Sequence, residues 1–104
     1  MSPHTQMLAL TSAQRRFLRA RAHGLAPVVL LGAAGLSEAV LREIDANLKA
    51  HELIKIKVAG EDRDMRAHLL ETICQTLNAQ AVQHIGKILV IYRPATKPRL
   101  ALPA

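Results

Sequence analysis

Apolar residues recur in this chain with two different periods, and the periods take turns. Leu36, Val40, Ile44 and Leu48 fall every four residues, which brings them to one side of a helix over about 36–51. Short segments of another kind flank it. Val28-Val29-Leu30-Leu31 is a continuous apolar run bounded by Pro27 and Gly32, the pattern of a buried strand. Leu53-Ile54-Lys55-Ile56-Lys57-Val58 alternates from Ile54 onward, so Ile54, Ile56 and Val58 share one strand face and Lys55 and Lys57 the other. Strand, helix and strand in this order make a right-handed crossover, and such a unit needs a sheet with a helix packed on it.

The remaining segments extend that unit. Thr11 with Gln14 three residues later has the spacing of a capping box and opens a helix over about 11–23, closed by Gly24 and Pro27. Ala13, Phe17 and Ala20 are expected on its buried side, with Arg15, Arg16, Arg19 and His23 grouped away from them. Ser37 or Gly35 can cap the second helix. Asp62 or Asp64 can cap a third, whose buried stripe is Leu69, Leu70, Ile73 and Leu77, with Cys74 beside it. Residues 81–85 and 88–93 flank Gly86-Lys87 as a β-hairpin. The order αβαβαββ predicts a two-layer α/β sandwich with a four-stranded sheet, mixed because the closing hairpin adds an antiparallel pairing. Residues 1–9 read as a flexible N-terminus, 10–94 as one domain, and 95–104 as an unpacked, basic, proline-containing tail.

Charge is distributed unevenly. The formal net charge is +6 over 104 residues, yet every acidic residue lies between Glu38 and Glu71. Arg15, Arg16, Arg19 and Arg21 precede that stretch; Lys87, Arg93, Lys97 and Arg99 follow it. If the two ends meet in space they form one positive surface, suited to an acidic partner such as nucleic acid. The single cysteine, Cys74, excludes an internal disulfide and fits a reducing, cytoplasmic setting. No segment has the length and apolarity of a membrane helix, and residues 1–10 lack the pattern of a secretion signal.

Gly32-Ala33-Ala34-Gly35 stands between a strand and a helix N-terminus, where free backbone amides and the helix dipole favour an anion and glycine lets a backbone come close. No Gly-Lys-Ser/Thr follows, so it is not a nucleotide-hydrolase phosphate loop. The alternative is a plain strand end and turn with no ligand. The stretches His23-Gly24-Leu25-Ala26-Pro27-Val28-Val29, Gly32-Ala33-Ala34-Gly35-Leu36-Ser37, His51-Glu52-Leu53-Ile54-Lys55-Ile56-Lys57 and Ile85-Gly86-Lys87 closely resemble the CRM domain (chloroplast RNA splicing and ribosome maturation), in its bacterial single-domain YhbY-type form. The resemblance runs through residues 10–94, about nine-tenths of the chain.

It implies a fold similar to the C-terminal domain of translation initiation factor three, RNA binding through the G-x-x-G loop and a basic surface, and association with large-subunit ribosomal precursors. By position the loop is Gly32, Ala33, Ala34 and Gly35. Family loops often carry polar or basic residues between the glycines; two alanines leave only backbone groups there. The charge is then expected from Arg15, Arg16, Arg19, Lys55, Lys57 and Lys87.

Other chemistries find little footing. His4, His23, His51, His68 and His84 are dispersed without helical metal-ligand spacing, and no cofactor or metal is expected. Glu61, Asp62 and Asp64 suit helix capping better than magnesium binding. Cys74 has no nucleophile-base arrangement around it, so an enzyme is the least favoured class, behind an adaptor for an acidic protein or a general binder of structured RNA. With Tyr92 as the one aromatic expected to stack a base, recognition should rest on shape and phosphate.

Overall fold

A computed structural model describes residues 9–32, 35–60 and 62–104. Its elements are α1 (Ser12–Ala22), β1 (Pro27–Leu31), α2 (Glu38–His51), β2 (Leu53–Val58), α3 (Arg63–Leu77), β3 (Gln80–Ile85) and β4 (Ile88–Tyr92). The order αβαβαββ and the four-stranded mixed sheet are those expected: the strands lie β1-β2-β4-β3, with β1 and β2 parallel and β4 antiparallel to both its neighbours. Residues 1–8, within the stretch expected to be flexible, lie outside the described residues, as do Ala33, Ala34 and Glu61.

Local chemistry sets the helix starts. Thr11 and Gln14 exchange both hydrogen bonds of a capping box at 3.0 Å. Of the alternative caps, Ser37 accepts from the Val40 amide and Asp62 from that of Met65, each at 3.1 Å. Asn78 closes α3 in the left-handed conformation.

The strand alternation divides the interior in two. Ile54, Ile56 and Val58 of β2, Val29 and Leu31 of β1, and Leu89 and Ile91 of β4 pack against Ile44 and Leu48 of α2 and Ile73 of α3. Leu53, Val82, Val90 and Tyr92 point to the opposite face, where Leu18 and Ala22 of α1 cover them. The sandwich of sheet with α2 and α3 is thus joined by α1 as a partial third layer. Helix α1 is rolled from the side expected: Leu18 and Ala22 are buried and Phe17 packs partly buried beside them as expected, whereas Ala13 and Ala20 are exposed. Leu18 carries more apolar surface than either alanine, and its burial fixes the roll of the helix.

Two further expectations are corrected. Strand β1 is not buried throughout but forms an edge of the sheet, with Leu30 72% exposed, because α1 does not reach over its outer face. The tail over 95–104 is packed: Leu100 and Leu102 join the α1 cluster, and Gln14 Nε2 donates to the Pro103 carbonyl at 3.0 Å.

Candidate nucleic-acid interface

The parallel pairing of β1 with β2 brings the ends of both strands to one edge of the sheet, and the β3–β4 turn arrives at the same edge. The Ala59 amide donates to the Leu31 carbonyl at 2.9 Å, and the Val58 amide to that of Lys87 at 2.8 Å. Gly32, Gly35 and Gly60 therefore line one crevice with Asp62 and Arg66, while Lys87 sits in the adjacent turn. The Gly35 amide closes a tight turn onto the Gly32 carbonyl at 3.1 Å, and Gly35 needs its glycine because its φ is +79°. Gly32 is under no such demand. A Cβ there would meet nothing within 4 Å, so packing does not explain the absence of a side chain.

The outer face of the sheet continues from this edge. Leu30, Lys57, Ile88 and Ile85 are successive cross-strand neighbours. One row further in, Lys55 and Gln83 both pair with Val90. Helix α1 lies beyond, and Arg19 and His23 of its second half line one hollow with Lys55 and Gln83. Of the basic residues anticipated from sequence, the fold brings Arg19 and Lys55 together, puts Lys57 on the same sheet face, and sets Lys87 at the loop edge. Arg15 lies one helical turn before Arg19 and is half-buried; Arg16 is exposed. Gln83, Leu30, Ile85 and Ile88 belong to this face but were not among the binding residues expected from the sequence, since cross-strand register is not written in either strand alone.

Among the described residues the outer sheet face carries no acid, and Asp62 lines only the crevice at its loop edge. Among the described residues, every acid other than Glu52 belongs to α2, α3 or the α3 cap, on the far side of the sheet. Glu52 is fully buried. Several cations away from this face are bonded to acids. Arg93 donates to Asp45 Oδ1 and to the Leu77 carbonyl, both at 2.8 Å, and this hydrogen bond, against the cost of burial, holds the Asp45 carboxyl below its ordinary value. Lys49 pairs with Asp45 and Arg42 with Glu38. Arg99 reaches Glu52. The ends of the chain do meet, through α1 and the tail, but Arg93 and Arg99 are held by acids and do not add free charge to the surface.

Several other sequence expectations resolve here. Tyr92 is 2% exposed beneath α1 and offers no face to a base. Burial pushes the Cys74 thiol up to about 11, the state of a packed, unreactive group. Burial, with the charges of Arg63 and Arg66, pushes the His84 imidazole down despite its hydrogen bond to the Gly86 backbone. Among the described residues no group of three or more His, Cys, Asp or Glu side chains could hold a metal ion, and no helix is long and apolar enough to cross a membrane.

Known proteins match this chain closely. A Haemophilus influenzae protein named "RNA-binding protein" is 47% identical over 97 residues, covering 93% of this chain and 98% of that one. The Pseudomonas aeruginosa protein named "Probable RNA-binding protein PA4753" is 41% identical over 91 residues, 88% of each chain. The solution structure of a hypothetical Staphylococcus aureus protein superposes with a TM-score of 0.80 at 36% identity, covering 90% of this chain and 99% of that one. The family model for the CRS1 / YhbY (CRM) domain matches residues 10–93. On this match and these relatives, the chain belongs to the CRS1/YhbY (CRM) domain family.

Proposed function

We propose that this protein binds structured RNA on the α1 side of its sheet and at the adjoining loop edge, as an assembly factor of large-ribosomal-subunit precursors in the cytoplasm. The observation that carries the reading is the segregation of charge across the sheet: Arg19, Lys55 and Lys57 lie on a face without an exposed acid among the described residues. Such a face holds a polyanion through counterion release. The crevice with Gly32 and Gly35 supplies close backbone approach at the helix α2 end, and Ala33 and Ala34 would contribute amides there, so contacts fall on phosphate and ribose more than on base edges. Residues 10–94 form the binding module, and 95–104 fold back to brace it. The relatives' names and the family match support RNA as the partner; the ribosomal precursor follows from the family resemblance.

Sedimentation of a cell extract on a sucrose gradient tests the whole reading. The protein is expected to travel with large-subunit precursors and to leave them after RNase treatment or at raised salt. Recovery only at the top of the gradient at low salt overturns the ribosomal assignment. A purified protein whose RNA affinity is indifferent to salt overturns the phosphate-contact mechanism.

A further inference from the structure

The hollow between α1 and the outer sheet face has a shape and lining that extended phosphate contact does not use. Its volume is about 190 Å³. Ile85 and Ile88 make an apolar floor from adjacent β3 and β4, with the fully buried Val90 behind it, while Arg19, Lys55 and Gln83 stand around it. Among the described residues, none of these three polar side chains has a hydrogen bond or ion pair, whereas Arg93, Arg99 and Lys49 are all engaged. A primary amide with no partner beside an apolar floor can both donate and accept, which is what the edge of a nucleobase asks for. Two cations at the rim match the phosphates on either side of that base.

We propose that this hollow is a binding pocket for a single unpaired RNA nucleotide, its base seated on Ile85 and Ile88, its edge read by Gln83, and its flanking phosphates held by Arg19 and Lys55. The inference rests on the RNA-binding reading and deepens it. Two other hollows among the described residues lack the combination. The one between α2 and the tail contains Asp45 with Arg93 and Lys49 already bonded to it, and the one beside the glycine loop is lined by Asp62. A protein side chain could fill an apolar hollow, but the rim is basic without an acid, and a nucleotide supplies base and negative charge together. The floor is aliphatic, so the base gains contact and desolvation without ring stacking, at the weak end of what aromatic platforms give. The site lies one strand row in from the loop edge, so a duplex held there could present a bulged nucleotide to it.

Fluorescence anisotropy with two RNA hairpins of the same stem, one fully paired and one with a single bulged adenosine, tests the pocket. The wild type is expected to bind the bulged hairpin about tenfold more tightly. Gln83→Ala and, separately, Ile85→Ser should each remove most of that preference, weakening binding of the bulged hairpin far more than that of the paired one. Both positions lie on the edge strand β3, with Ile85 57% exposed, so the fold is expected to tolerate either change. A 2-aminopurine at the bulge should change its fluorescence on binding the wild type and less on binding Gln83→Ala. Equal affinity of the wild type for the two hairpins, or a preference that survives both substitutions, overturns the pocket and leaves the RNA-binding reading standing. Binding of neither hairpin overturns both.

Discussion

The carboxylate of Glu52 accepts the backbone amide of Ala95 at 2.7 Å, tying the end of α2 to a segment more than forty residues away in sequence. The same carboxylate accepts the amides of Arg99 and Leu100 at 3.1 Å, and the Glu52 carbonyl accepts that of Arg93 at 2.9 Å. Glu52 is fully buried and sits at φ +66°, a conformation costly for a side-chain-bearing residue and sustained here by the contacts around it. Through it the tail is held where Leu100 and Leu102 can pack under α1.

Removing that carboxylate should therefore loosen both the tail and the helix above it. Glu52→Ala leaves buried amides without an acceptor and is expected to cost about 2–3 kcal/mol, read by thermal or urea unfolding. Deletion of residues 99–104 should destabilise in the same direction. If the truncated chain melts with the full-length protein, the tail is not part of the fold.

The pH dependence follows from the same group. Burial by itself would raise the Glu52 carboxyl, but the Ala95, Arg99 and Leu100 amides and the Arg99 charge outweigh it and hold the group below its ordinary 4.5. Its contribution is fully present above that ordinary value and is lost as pH falls through the lower folded value. Acid unfolding should begin with loss of tail protection in amide exchange as pH falls below the ordinary value of this carboxyl. Glu52→Gln should flatten this dependence.

Arg93 and the cations of the outer face should separate cleanly in experiment. Arg93→Ala breaks the contacts to Asp45 and Leu77 and should lower stability by about 2–4 kcal/mol while leaving the RNA affinity of the folded fraction nearly unchanged. Lys57→Ala should do the reverse: unfolding unaltered, affinity weaker, and the slope of log affinity against log salt reduced by about 0.7–0.9 for one phosphate contact. An unchanged slope would remove Lys57 from the interface.

Cys74 should be slow to react. With its thiol pushed up to about 11 and its side chain packed against the core, modification by a disulfide reagent at neutral pH should be far slower in native than in denaturing buffer. Equal rates would mean that α3 opens readily at this position.

Much of the architecture was legible in one dimension because it depends on neighbours in sequence. The four-residue spacing of Leu36, Val40, Ile44 and Leu48, the alternation from Ile54 to Val58, the Thr11 and Gln14 capping box and the Gly86-Lys87 turn are local rules, and each specified its element. The exposure of Leu30 was not local. It depends on which helix lies over which strand, and α1 covers β2, β3 and β4 but not the edge strand β1.

The sequence by itself determined the order of elements, the division of β2 into an apolar and a lysine face, and the separation of acidic from basic segments. It could not decide which cations are free. Arg93 and Arg99 look as available as Arg19 in the chain, yet Asp45 and Glu52 capture them across long loops of sequence. Nor could it show that Gln83 stands beside Lys55 and Arg19, or that Tyr92 is roofed by α1. A charge or amide is defined by what surrounds it in space, and those surroundings come from strand register and helix docking, which only the folded chain sets.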